Sequence, residues 1–147
     1  MLTIRPAIAA DLPAIHGLVA DLAEFEKEAA AFTTSLATYQ EQFAAGTFQA
    51  HVAETSPGDI VGMTLYYLTF STWKGRMLYL EDFVVKEDYR GQGIGQQLFA
   101  AFIEEAKRQQ CTMVKWQVLD WNTPAVNFYE LQGATIEKNW WNAKIIF

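Results

Sequence analysis

Cysteine occurs once in this 147-residue chain, at Cys111, so an intramolecular disulfide is excluded. No metal-ligand spacing surrounds it, and Cys111 reads as a small buried packing residue near a strand start. A reducing compartment, the cytoplasm, is the expected setting. Histidine is almost as scarce. His16 and His51 belong to no Ser-His-Asp or Cys-His arrangement and read as surface or packing residues, so neither a covalent nucleophile nor a bound metal is expected. Positive charge is also short: 11 Lys and Arg stand against 17 Asp and Glu, a net charge of -6. No basic stripe interleaved with aromatics is present, which argues against a nucleic-acid surface and is compatible with cationic small substrates. No apolar run approaches the ~20 residues of a membrane span, and no basic segment followed by an apolar core opens the chain.

What is present is a globular composition, 51% hydrophobic and 19% charged, at a length that suits one domain over residues 1–147. Leu2–Arg5 reads as a first strand. Asp11 can cap a helix whose apolar residues Leu12, Ile15, Leu18, Leu22 and Phe25 recur at spacings of three and four. A second helix is predicted over Leu36–Ala45. The runs Phe48–Glu54 and Ile60–Phe70 flank the turn Ser56-Pro57-Gly58-Asp59 and predict a hairpin. Met77–Val85 predicts a strand, followed by a helix to about Gln109, a strand over Met113–Leu119 and a short helix over Pro124–Leu131. A closing pair of strands is expected over Ala134–Lys138 and Trp140–Phe147. This order predicts an α+β sandwich with a mixed, mostly antiparallel sheet.

Between the Met77–Val85 strand and its helix lies Arg90-Gly91-Gln92-Gly93-Ile94-Gly95. Strand, glycine-rich turn and helix make an arrangement suited to an anion. Glycines let backbone N–H groups crowd round phosphate oxygens, and the helix N-terminus adds partial positive charge. Arg90 adds a full one. Three glycines can also simply make a tight turn. A P-loop is excluded, because no Gly-Lys followed by Ser or Thr ends the stretch, and a dinucleotide fingerprint is excluded because position 98 is Leu.

The R-G-Q-G-I-G block, with Arg90, Gly93 and Gly95 in a Q/R-x-x-G-x-G/A pattern, resembles the signature of the GNAT acyl-CoA N-acyltransferases. Trp121-Asn122-Thr123-Pro124-Ala125-Val126-Asn127-Phe128-Tyr129 is similar to a second block of that family. Leu78-Tyr79-Leu80-Glu81-Asp82-Phe83 narrows the resemblance to the branch that acetylates diamines, polyamines and thialysine. The resemblance implies the GNAT fold, acetyl-CoA as cosubstrate without a metal, a small amine as acceptor and a homodimer. The exposed-looking Trp140-Trp141 agrees with a dimer.

It also implies roles. Phe83, Val84 and Val85 would offer backbone groups to the pantetheine arm through a splay or bulge. Arg90, Gly91, Gln92, Gly93, Ile94, Gly95 and Gln96 would cradle the pyrophosphate, with Asn122 and Pro124 on the other wall. Phe25, Glu26, Trp73, Glu81 and Asp82 would line the amine site. Tyr129 would protonate the departing thiolate, and Glu81 would deprotonate the amine directly or through water. On residue type alone, Tyr129 would be a core aromatic and Asn122 and Pro124 helix-start chemistry.

A primary amine of pKa near ~10 must lose a proton before it attacks, so a base is required whatever the acceptor. Glu81 and Asp82 are adjacent acids in an apolar strand. Neighbours in a strand face opposite sides, so one of them should enter the fold unless the strand bulges. Ser71-Thr72 replaces the Asp-Pro that polyamine enzymes carry before Trp73, and Ala29-Ala30-Ala31-Phe32 replaces more acidic sequence. Short diamines or lysine-like amino acids are therefore expected over long polyamines. A protein amine as acceptor, or a non-catalytic acyl-CoA-binding module, are the alternative readings.

Overall fold

The computed structural model describes all residues, Met1–Phe147, and the chain divides into two compact units, Met1–Gln117 and Val118–Phe147. In the first, β1 (Thr3–Pro6), β2 (Gln49–Ser56), β3 (Asp59–Ser71), β4 (Gly75–Val85) and β5 (Met113–Trp116) form one sheet in that spatial order. β1 to β4 pair antiparallel, and β5 lies parallel to β4. Hairpins join β2 to β3 and β3 to β4. The parallel step requires a crossover, which α3 (Ile94–Arg108) supplies. Helices α1 (Leu12–Phe25) and α2 (Leu36–Ala44) lie between β1 and β2 in the chain.

The alternation of side chains across the strands assigns the helices to faces. Val52, Met63, Leu65 and Val84 pack with Leu12, Ile15 and Leu18 of α1, and Leu36, Tyr39 and Phe43 of α2 lie against the same cluster. On the opposite face Ala53 and Val61 meet Ile94 and Leu98 of α3, with Phe83 and Val85 against them. β3 is central, and Ile60–Tyr66 is buried without a break because helices cover both faces. Leu12, Ile15 and Leu18 are almost wholly buried, each a burial worth about 1.5–3 kcal/mol.

Asp11 does not cap α1 as the sequence suggests; its carboxylate makes no capping bond to the helix. It turns back to Arg5, which donates to both Asp11 oxygens at 2.8 and 2.9 Å, while the Ile8 N–H donates at 2.8 Å. Arg5 also donates to Glu54 of β2, the residue pairing opposite Thr3. A guanidinium fork matches two carboxylates better than a helix-end N–H matches one, so the charge pair wins.

The second unit contains α4 (Thr123–Leu131). Asn122 caps it, its Oδ1 accepting from the Ala125 N–H at 3.4 Å, with Pro124 in the first turn. The closing strands expected over Ala134–Lys138 and Trp140–Phe147 do not form, and β5 ends at Trp116 rather than Leu119. Apolar content alone does not make a strand: the ladder must satisfy its backbone groups, and an isolated pair is marginal in water. Trp140, Trp141, Ile145, Ile146 and Phe147 are exposed.

Arg5→Met should destabilise the fold by about 2–3 kcal/mol at pH 7, because Asp11, 5% exposed, loses its counter-charge. Arg5 holds the Asp11 carboxyl below its usual range, so this stabilisation is present above the unfolded carboxyl pKa and fades as pH falls through the lower folded value. Denaturant melts should show the mutational cost shrinking below about pH 4. An equal cost at pH 3 and pH 7 would assign the effect to packing of the arginine stem.

Candidate active site

The two adjacent acids of β4 owe their placement to a skip in register. Leu65 of β3 lies opposite Asp82, but Tyr66 lies opposite Leu80, so Glu81 is an extra residue with no partner of its own. Such a bulge offsets the period-two alternation by one residue. Leu80 before it is buried, and Phe83 and Val85 after it pack toward α3, whereas Asp82 lies opposite Leu65, which packs toward α1. The pairing with β5 runs from Met77 to Leu80, and β4 continues alone in that direction to Val85. The β5 ladder therefore ends before Phe83–Val85, and the bulge falls at Glu81 rather than within that stretch.

Glu26, just after α1, completes an acidic group with Glu81 and Asp82. Burial pushes the carboxyls of Glu26 and Glu81 up from their ordinary values. Asp82 is pushed up to about 7, by burial first and then by the charges of Glu81 and Glu26. Burial disfavours ionisation of all three, the charges of Glu81 and Glu26 add to it at Asp82, and a bound cation would offset both effects.

Three tyrosines that sequence reading left out complete the surroundings. Tyr39 of α2 is pushed up to about 12 by burial and by Asp82 and Glu81. Burial and the same acids raise Tyr67, and burial, Glu81 and Tyr67 raise Tyr79. Tyr67 and Tyr79 face each other across β3 and β4 with ring centroids 5.5 Å apart. Both lie in runs whose composition predicts strands, but their meeting depends on pairing register.

At the end of β4, Gly91 and Gly93 adopt φ values of +75° and +81°, a conformation glycine accepts without strain. A Cβ at either would meet nothing within 4 Å. No side chain caps α3 at Gly93, and its first i→i−4 bond is the Gln97 N–H to the Gly93 carbonyl. The loop and first turn thus fit a phosphate-bearing group: open backbone, a helix N-terminus and a neighbouring arginine. Arg90 donates through Nε to the Val85 carbonyl at 2.9 Å, and its guanidinium lies 5.7 Å from the centre of the Phe25 ring. Ile94 is buried and anchors the loop, while Gln92 reaches the Asp88 carbonyl and Gly95 lies beside Phe83. Gln96 follows in the exposed part of the first turn.

Trp73 is not brought to the acids. It sits in the β3–β4 turn, 84% exposed, with roughly 20 Å of strand between it and Asp82. His16 donates to the Thr34 carbonyl and packs on Phe32 and Tyr39; His51 is buried with Nδ1 2.8 Å from the Tyr66 hydroxyl. Both are packing residues, as expected. Cys111 is half-buried rather than buried, and burial raises its thiol pKa, which agrees with an unreactive side chain. In the second unit Tyr129 is buried on α4 beside Phe128.

Residues 15–134 match the Acetyltransferase (GNAT) family. This chain belongs to that family. It is 39% identical over 144 residues to thialysine N-epsilon-acetyltransferase of Bos taurus, covering 89% of this chain and 82% of that protein. It is 32% identical to spermidine/spermine N(1)-acetyltransferase-like protein 1 of Homo sapiens, over 93% of this chain and 21% of that longer protein. An aminoglycoside acetyltransferase from an uncultured soil metagenomic sample, solved in complex with sisomicin, superposes with a TM-score of 0.82 at 20% identity, covering 99% of this chain and 96% of that one. The GNAT fold expected from the sequence is thus found. GNAT acetyltransferases use acetyl-CoA, and the open loop before α3 has the character its pyrophosphate requires.

The raised Asp82 pKa carries a stability consequence. Between the unfolded carboxyl pKa and about 7 the folded state holds the extra proton, so stability falls as pH rises through that window. Asp82→Asn removes the penalty. Its melting temperature should exceed wild type by roughly 3–6 °C at pH 8 and by almost nothing near pH 3. A uniform shift at both pH values would show that ionisation of Asp82 is not the cause.

Proposed function

We propose that this GNAT enzyme transfers the acetyl group of acetyl-CoA directly to one nitrogen of a small amine bearing a second cationic group, a short diamine or a lysine-like amino acid. The acidic group of Glu26, Glu81 and Asp82 carries this reading, because burial and like charge leave it in need of a cation. The names of the similar thialysine and spermidine/spermine enzymes agree with it.

In this scheme Glu81 takes the proton of the reacting ammonium, directly or through a water molecule. A carboxyl raised toward neutrality is a better base at working pH than an ordinary one. Asp82 and Glu26 hold the distal ammonium. Acetyl-CoA supplies an activated thioester. Phe83–Val85 would align its pantetheine arm, Gly91–Gln96 with Arg90 its pyrophosphate, and Asn122 and Pro124 would support the same cosubstrate. Tyr129 would return a proton to the leaving thiolate. Direct transfer fits a chain without a nucleophile-histidine pair. The enzyme works in the cytoplasm as a homodimer in this reading, supported by its single thiol and by exposed Trp73, Trp140 and Trp141. No helix is long and apolar enough to cross a membrane.

Thiol-release assays with a panel of amines test the proposal. Glu81→Gln and Tyr129→Phe should each lower kcat by about 10²–10⁴-fold, and alkaline pH should partly restore the Glu81→Gln rate. Turnover within about twofold of wild type would remove that residue from the chemistry. If neutral monoamines or protein lysines matched diamines in wild type, the acceptor assignment would be wrong.

The donor loop has its own test. Gly93→Val places a β-branched side chain on a backbone at φ +81° and should weaken CoA binding at least tenfold, read by calorimetry on protein shown to be folded. Unchanged affinity would move CoA away from this loop.

A further inference from the structure

β3 outruns its neighbour. Its last pair with β2 joins Tyr66 to Gln49, so Tyr67–Ser71 extends past the β2 ladder. Tyr67 is therefore half-buried, as is Tyr79 opposite it, and the two rings stack at 5.5 Å with planes 22° apart. Other tyrosines of this unit are committed elsewhere. Tyr66 is buried against Phe102 with its hydroxyl at His51, and Tyr39 is wedged among His16, Phe32 and Phe48. The Tyr67–Tyr79 pair keeps ring surface accessible, and Tyr79 stands two residues before Glu81 on β4.

We propose that the stacked Tyr67–Tyr79 pair is a specificity platform that, beside Asp82 and Glu26, holds the second cation of the acceptor by cation–π contact while Glu81 serves the reacting end. This deepens the function proposed above and rests on it. Aromatic faces carry negative potential, and two aligned rings beside carboxylates attract a cation together. Residues two apart along a strand lie roughly 6–7 Å from each other, a span suited to two nitrogens separated by a few methylenes. Packing alone gives a different expectation, since a cross-strand aromatic pair would stabilise the hairpin without distinguishing one amine from another.

The experiment compares a linear diamine with the neutral-tailed monoamine of the same length, as the ratio of their kcat/KM values. Tyr67→Leu and Tyr79→Leu should each lower that ratio about tenfold, mainly through KM for the diamine. Tyr79→Phe, which keeps the ring face, should stay within about threefold of wild type. An unchanged ratio in the leucine variants, or a loss in Tyr79→Phe as large as in Tyr79→Leu, would overturn the platform. If both leucine variants fail to fold, calorimetry of diamine binding to Tyr79→Phe and Tyr79→Trp decides: retained or tighter binding supports it, and a loss in both overturns it. If wild type acetylates neither amine, the proposed function falls. Diamine binding to wild type and Tyr79→Leu, measured directly, then judges the platform by itself.

Discussion

One extra residue in β4 is the constraint on which the candidate site depends. Side chains alternate along a strand, so a regular β4 would send Asp82 toward α3 and Phe83 and Val85 toward α1. The bulge at Glu81 resets the count. After it, Phe83 and Val85 join the cluster around Ile94 and Leu98, Val84 joins the core beneath α1, and Asp82 faces the α1 side. Removing the bulge would exchange a carboxylate for two hydrophobic residues at the α3 interface, where burying the charge would cost several kcal/mol. Core packing and the acidic group are therefore fixed by the same irregularity.

The charges of this chain fall into two kinds. Asp11 and Glu54 share the Arg5 guanidinium, and both carboxyls are held below their ordinary range. That arrangement stabilises the fold near neutral pH. Glu26, Glu81 and Asp82 receive no such partner, and the influences on Asp82 are burial and two like charges. Carboxyls raised by burial, with Asp82 raised further by its two like-charged neighbours, work against folding at pH 7. Their persistence is understandable when a cationic ligand supplies the missing charge, because binding to the folded state alone recovers the stability lost in the empty one.

Much of this was legible in the sequence because it is local. The R-G-Q-G-I-G loop announces its own backbone geometry, and the helices and most strands follow from periodicity. Glu81 and Asp82 stood out as acids in an apolar run, and the sequence left open that a bulge would decide where they point. What stayed hidden depends on partners distant in the chain. The Tyr67–Tyr79 stack exists because β3 and β4 pair in one register, and Arg5 reaches Glu54 because β1 lies beside β2. The misread elements share that cause. Trp140–Phe147 has a strand-like composition, but hydrophobicity specifies a strand only where a neighbour completes its hydrogen bonds. Trp73 illustrates the same limit, since motif spacing cannot show that a hairpin carries it far from Asp82.

The course of β4 bears on the direct transfer proposed for this enzyme. Its middle presents the carboxylates, its continuation past the end of the β5 ladder runs from Glu81 to Val85 with Asp82–Val85 paired to β3 alone, and the glycine loop follows within a few residues, tied back by the bond from Arg90 to Val85. A single strand therefore carries the groups proposed for the acceptor and leads into those proposed for the donor. Their spacing is set by backbone geometry rather than by mobile side chains. Holding two reactants in register can supply roughly 7–11 kcal/mol of a barrier through proximity alone. An enzyme that obtains this from its scaffold requires only a proton acceptor for the amine and a proton donor for the thiolate. The carboxylate of Glu81 and the phenol of Tyr129 are the groups proposed for those tasks.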